Sequence, residues 1–213
     1  LTVGAVFHMY SRDLPSTERL ANYTPPTISR IYTGEGRLMD EFSREGERRV
    51  FIPIDEIPDL VKNAFVSAED KNFWTHKGYD PRGMVAAALD AARGARLRGA
   101  STITQQVMKT FLLSSDRSAE RKVKELILAS RLEHTLSKDK ILELYLNEIF
   151  LGQNSFGVAA ASQTYFNKPL DQLNAAEAAM LAALPQAPSE YHPVRANERV
   201  TQRRNYVLRE MLQ

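Results

Sequence analysis

With 213 residues, 43% apolar and 25% charged, the chain is ordinary globular material, long enough for one substantial domain or a domain with a small appendage, and neither disordered nor collagenous. It has no cysteine, which excludes a disulfide framework and a thiolate metal site, and its net charge of +2 selects no partner. The distribution of charge says more: eleven Lys/Arg against five Asp/Glu over 93–140 make that stretch +6 and leave −4 for the remainder, a local field that favours an anionic partner.

Residues 1–10 are apolar but too short to span a bilayer, and they carry no charged n-region. They read as the tail of a membrane anchor or as a strand. The runs 27–33 and 37–42 flank Gly34-Glu35-Gly36, a hairpin signal, and 49–53 reads as a third strand ended by Pro53. Residues 1–57 therefore form a post-anchor segment with a small β region, and 58–213 a helical domain.

From Pro58 the pattern is helical. A first helix leads into Glu69, whose face carries Phe65 and Val66 and, if the helix continues, Phe73. An acid so flanked loses hydration, which raises its pKa towards the range of a proton-transfer group. The plainer alternative is a solvated helix end. Asp80 and Pro81 open a helix to residue 93, and Gly94 and Gly99 bracket a basic loop. Ser101 is placed to cap a helix over 102–113, and the next spans 118–136. Ser137 caps one to residue 150, which Gly152 and Asn154 break. A short apolar helix spans 157–166. Asn174 with Glu177 is a capping box, Pro185 stops that helix, and 195–212 is the last.

Three stretches carry chemistry. Glu125 shares a face with Arg121 and Lys122 on one side and Leu128, Ala129 and Leu132 on the other, so it stays ionised, unlike Glu69. Two carboxylates in contrasting surroundings suit an acid–base group plus a charge stabiliser; a plain helix salt bridge is the alternative. In 99–109 a glycine enters a helix N-terminus with hydroxyls on its first residues, a generic anion cradle that Gln105, Gln106 and Lys109 extend; an ordinary cap explains it equally. Ser137-Lys138-Asp139-Lys140 matches S-x-x-K of penicillin-reactive serine enzymes, but without their other motifs it reads as a cap with exposed lysines. The four histidines lack metal-ligand spacing.

Together these stretches resemble the peptidoglycan glycosyltransferases of class A penicillin-binding proteins and monofunctional transglycosylases. Glu69-Asp70-Lys71-Asn72-Phe73-Trp74-Thr75-His76-Lys77-Gly78 is similar to their E-D-x-x-F-x-x-H-x-G, 99–106 to G-[G/A]-S-T-[I/L]-T-Q-Q, and 121–125 to R-K-x-x-E. Residues 140–147 and 203–208 resemble the fourth and fifth motifs, with Ala100, Phe150 and Phe156 as mild departures. The resemblance implies a mainly α, lysozyme-like domain with a membrane-facing jaw, working on the outer face of the bacterial inner membrane. It implies inverting transfer of a growing glycan from undecaprenyl pyrophosphate to the 4-hydroxyl of lipid II, with Glu69 as base and Glu125 near the departing pyrophosphate. Asp70, Phe73, His76, Gly99, Ser101, Thr102, Gln105, Gln106, Lys109, Arg117, Arg121, Lys122, Lys124 and Asn147 then line the substrate site. Each cation about 4 Å from the leaving group offers roughly 4 kcal/mol before desolvation. No tightly bound cofactor is implied, though Mg or Mn at the pyrophosphate is compatible. The expected partners are lipid II, the glycan chain, the membrane through the anchor and apolar residues such as Phe111, Leu112 and Leu113, a transpeptidase domain, and other cell-wall synthesis proteins. A glycan hydrolase would need no pyrophosphate site, and a nucleic-acid binder would leave both acids idle.

Overall fold

The structure, a computed structural model, describes residues 10–11, 14–21, 23, 29–32, 38–42, 48–93, 101–111, 119–186, 188 and 198–212. It is mainly helical, as the periodicity requires: α1 (Asp59–Glu69), α2 (Pro81–Ala92), α3 (Ile103–Phe111), α4 (Ala119–Thr135), α5 (Lys138–Glu148), α6 (Val158–Phe166), α7 (Ala175–Ala183) and α8 (Glu198–Glu210). Strands are few. β1 (Ser29–Tyr32) pairs antiparallel with β2 (Leu38–Phe42), so the hairpin forms, while its turn at 33–37 lies outside the described residues. The chain groups into two compact units, Leu1–Tyr23 with Glu69–Tyr145, and Thr24–Ala68 with Leu146–Gln213.

In the first unit α3 packs on α4, and the short 3-10 turn Thr17–Leu20 packs on α4 as well. Ile103, Val107 and Met108 of α3 and Ile127, Leu128, Ala129 and Leu132 of α4 are buried there. The cap of α3 is Thr102, not Ser101. The Thr102 hydroxyl accepts from Gln105 N (3.2 Å) and Gln105 Oε1 accepts from Thr102 N (2.8 Å), a reciprocal box that the long glutamine makes possible only one residue later. Asp80 caps α2 through Arg82 N (3.0 Å), and Ser137 caps α5 through Lys140 N (3.2 Å), both as the sequence indicates.

In the second unit α7 packs on α8 and on α6. The expected third strand forms at β3 (Arg48–Arg49) and does not extend the hairpin. It pairs in parallel with β4 (Ser155–Phe156), beyond α5 in the chain. Residues 50–53 leave the strand because the Asn147 carboxamide takes over the main chain of Ile52, accepting from its N–H (2.8 Å) and donating to its C=O (2.9 Å). Gly157 (φ 83°) is a necessary glycine: a Cβ there would come within 2.5 Å of the Asn147 carbonyl oxygen. Among the described residues no helix is long and apolar enough to cross a membrane.

Candidate active site

The expected continuation of α1 to Phe73 does not occur. The helix stops at Glu69 and the chain turns, with Phe73 N donating to the Asp70 carbonyl (2.9 Å). The reason is the Asp70 side chain. Buried, it accepts at one oxygen from the main-chain N–H of Ile103 (2.9 Å) and from His76 Nε2 (2.8 Å), which ties the loop to the first turn of α3. His76 Nδ1 accepts from Gly78 N–H (3.1 Å), so the ring proton sits on Nε2, and the Gly78 carbonyl accepts from the Thr102 hydroxyl (2.7 Å). Gly78 has φ 97°, and a Cβ there would stand 2.6 Å from the backbone of Ala129. The loop thus lies flat on α4 only because residue 78 has no side chain. Phe73 is fully buried with the Lys138 ammonium 4.6 Å from its ring centroid, and presents no surface of its own.

Glu69 is half-buried, with its Oε1 out of solvent as expected of a water-poor acid, and its other carboxylate oxygen accepts from Gln106 Nε2 (3.0 Å). Burial pushes the Tyr145 phenol well above its usual range, and the charges of Glu69 and Asp70 add to the effect, so both carboxylates act on one buried tyrosine. Glu125 on α4 is buried and paired: Lys122 Nζ donates to Glu125 Oε1 (2.5 Å) and to the Ser101 hydroxyl (2.8 Å). One lysine therefore bridges α4 to the entrance of α3. Glu69 and Glu125 are tied, through Gln106 and Lys122, to the two ends of the stretch 101–106.

The other expected site residues divide. Arg121 is half-buried on α4, and Lys109 is exposed on α3 one residue short of a turn beyond Gln106. Lys124 pairs instead with Glu120 (2.6 Å) and lies 6.0 Å over the Tyr10 ring. Gln105 is buried, and its amide nitrogen makes no hydrogen bond among the described residues. Asn147 belongs to the second unit, where it holds Ile52. Gly99 and Arg117, with Leu112 and Leu113, lie outside the described residues, and Phe111 packs edge-on against Tyr23 (4.7 Å). Arg203, from the fifth motif, donates to the Ala68 carbonyl (3.2 Å) in the last turn of α1. Among the described residues no three His, Cys, Asp or Glu side chains gather into a metal cage.

Sequence reasoning missed Thr104, Glu133, Lys138 and Tyr145. Thr104 and Tyr145 lay inside quoted motifs, Lys138 lay in the run 137–140 that reads as a cap with exposed lysines, and Glu133 carried no signal beyond charge. It also missed the exposed apolar residues Trp74, Tyr79, Met84, Val85 and Leu89, the last three on α2. Val85 and Leu89 at i,i+4 were the available signal.

A transglycosylase family model matches residues 35–212. Penicillin-binding protein 1A of Rickettsia bellii (strain RML369-C) is 49% identical over 215 residues, covering 99% of this chain and 27% of the relative. Penicillin-binding protein 1A of Aquifex aeolicus (strain VF5) is 47% identical over 203 residues, 95% of this chain and 28% of the relative. The chain thus spans just over a quarter of the length of these relatives. The crystal structure of Penicillin-Binding Protein 1A from Haemophilus influenzae matches 87% of this chain and 18% of its own, at 29% identity and a TM-score of 0.45.

Proposed function

The chain belongs to the transglycosylase family, and from that premise we propose that it polymerises lipid II into peptidoglycan glycan strands, passing the growing glycan from its undecaprenyl pyrophosphate to the 4-hydroxyl of an incoming lipid II with inversion. Glu69 takes the proton from that hydroxyl, its carboxylate aimed by Gln106. Glu125 and Lys122, with Ser101 at the entrance of α3, stand at the departing pyrophosphate, where Arg121, Lys109 and Arg117 add positive charge. Asp70, His76, Thr102 and Gln105 shape the wall from behind.

The observation that carries this reading is the double attachment of one short stretch. It receives Glu69 through a neutral amide and Glu125 through an ammonium, so the two acids meet opposite company within a single helix entrance. The membrane-facing jaw is assigned to α2. Val85 and Leu89, one turn apart, are 60% and 52% exposed, and Trp74 and Tyr79 just before the helix suit a lipid–water boundary. The site works on the outer face of the inner membrane, with a transpeptidase domain and other cell-wall proteins as partners of the full-length chain.

The test is incubation with purified lipid II and sizing of the products. Wild type yields glycan polymer, and Glu69→Gln, folded as judged by circular dichroism, is slower by about 10²-fold or more. Short fragments released from finished glycan would instead assign a hydrolase.

A further inference from the structure

Lys138, the residue that follows the Ser137 cap, is not one of the exposed lysines that the local sequence suggests. Lys138 Nζ lies 2.7 Å from Glu133 Oε1 and 3.5 Å from His76 Nδ1. Glu133, on α4 with its side chain buried, accepts at the same oxygen from the Thr104 hydroxyl (2.6 Å), and Thr104 is a fully buried residue of α3. The Lys138–Glu133 pair is part-buried, its carboxylate more than its ammonium, and pairs of this kind in some proteins fix one geometry rather than add stability.

That geometry is visible in what the pair holds. Ile103 and Thr104 are consecutive in the first turn of α3, and each is gripped by a different acid. Asp70 takes the Ile103 amide and Glu133 the Thr104 hydroxyl, with His76 standing 2.8 Å from the first acid and 3.9 Å from the second. A helix fixed at two successive residues by side chains from separate elements is fixed in rotation as well as in position. Gln106, on the next turn, then reaches Glu69 in one direction only.

We propose that Glu133 and Lys138 are positioning residues of the glycosyl-transfer site: acting through Thr104, they set the rotation of α3 and so aim the Gln106 amide at the Glu69 carboxylate. This rests on the reading of Glu69 as the base.

Thr104→Val, Thr104→Ser, Glu133→Gln and Lys138→Met, with Glu69→Gln alongside, are compared by lipid II kinetics, thermal melting and the NMR signal of the Gln106 side-chain amide. Thr104→Val and Lys138→Met lower kcat about tenfold with KM for lipid II changed by about twofold at most, as a slight misplacement at the reacting centre does. Both move the Gln106 amide signal, and Thr104→Ser restores rate and signal together. Glu133→Gln keeps an acceptor for Thr104 but loses the ion pair, and so behaves as Lys138→Met does; Thr104→Val with Lys138→Met is no slower than the slower single variant, because both act along one chain of contacts. The proposal is overturned if the variants lose only melting temperature and leave the Gln106 signal unmoved, or if the double variant multiplies the two defects. Should Glu69→Gln still polymerise lipid II, it is the assignment of the base that fails, and the Gln106 signal in the other variants still decides the positioning role.

Discussion

At Asp70 and at Asn147 a buried side chain stands in for a missing backbone partner. In the first unit Asp70 receives the amide of Ile103, at the entrance of α3. In the second, Asn147 receives the amide of Ile52 and donates to its carbonyl. Asn147 is neutral, and its two bonds to Ile52 are reciprocal. Asp70 brings a charge, shares its oxygen with His76, and through that ring adjoins Glu133 and Lys138. A neutral clamp is the less costly way to settle a strand end, since no ion is desolvated. A charged one has to be held by neighbours, and it stands beside the carboxylate assigned to chemistry. On the function proposed above, the difference separates a scaffold contact from a contact that serves the site.

Substitution tests the contrast most sharply at Asp70. Asp70→Ala leaves the Ile103 amide and His76 Nε2 buried without their acceptor, at a cost of about 3 kcal/mol. Urea unfolding measures it. Lipid II polymerisation falls further than the lost stability explains, because α3 is released from the loop. An Asp70→Ala protein of wild-type activity would remove the distinction.

Asn147→Leu is the counterpart. It orphans both polar groups of Ile52 and costs about 2 kcal/mol, read as a lower urea midpoint. In the fraction that remains folded, polymerisation proceeds at the wild-type rate. Loss of activity in folded protein would instead make Asn147 the substrate contact that the fourth motif implies, and the two clamps would no longer differ in kind.

What the sequence disclosed follows the range of the interaction. The caps of α2, α5 and α7 were legible because donor and acceptor lie two or three residues apart. So was the pairing of Glu125 with a cation at i−3. The cap of α3 was misread by one residue because Ser101 and Thr102 both carry hydroxyls, and only Gln105 decides between them. The partner of β3 lies more than a hundred residues further on, and no local pattern announces it. Gln106 reaches Glu69 across 37 positions; the motif resemblance implied both residues but not their contact. Lys138 was misjudged outright, since a lysine after a cap is usually solvated and only the fold places Glu133 and His76 around it.

Charge is allotted the other way round at the helix caps, which yields the smallest and cleanest effect. The box at α3 is neutral, Thr102 with Gln105, whereas that at α7 uses an acid: Glu177 accepts from Asn174 N (3.0 Å) and from Lys168 Nζ (2.6 Å). The Lys168 ammonium first, and the Asn174 amide next, hold the Glu177 carboxyl below its ordinary 4.5. A carboxyl whose pKa is depressed in the folded state binds fewer protons there than in the unfolded chain. Its contribution is therefore complete above the unfolded value and is lost as pH falls through the folded one. Glu177→Gln lowers stability by about 0.5–1 kcal/mol near neutrality, since the glutamine keeps the reciprocal cap bond but not the ion pair. As pH falls below the folded value, itself below 4.5, wild type and variant converge, because the protonated acid and the amide then offer the same neutral acceptor. Urea midpoints near neutrality and in acid measure the convergence. A gap that persisted undiminished in acid would mean that packing of the side chain, not its charge, holds the start of α7.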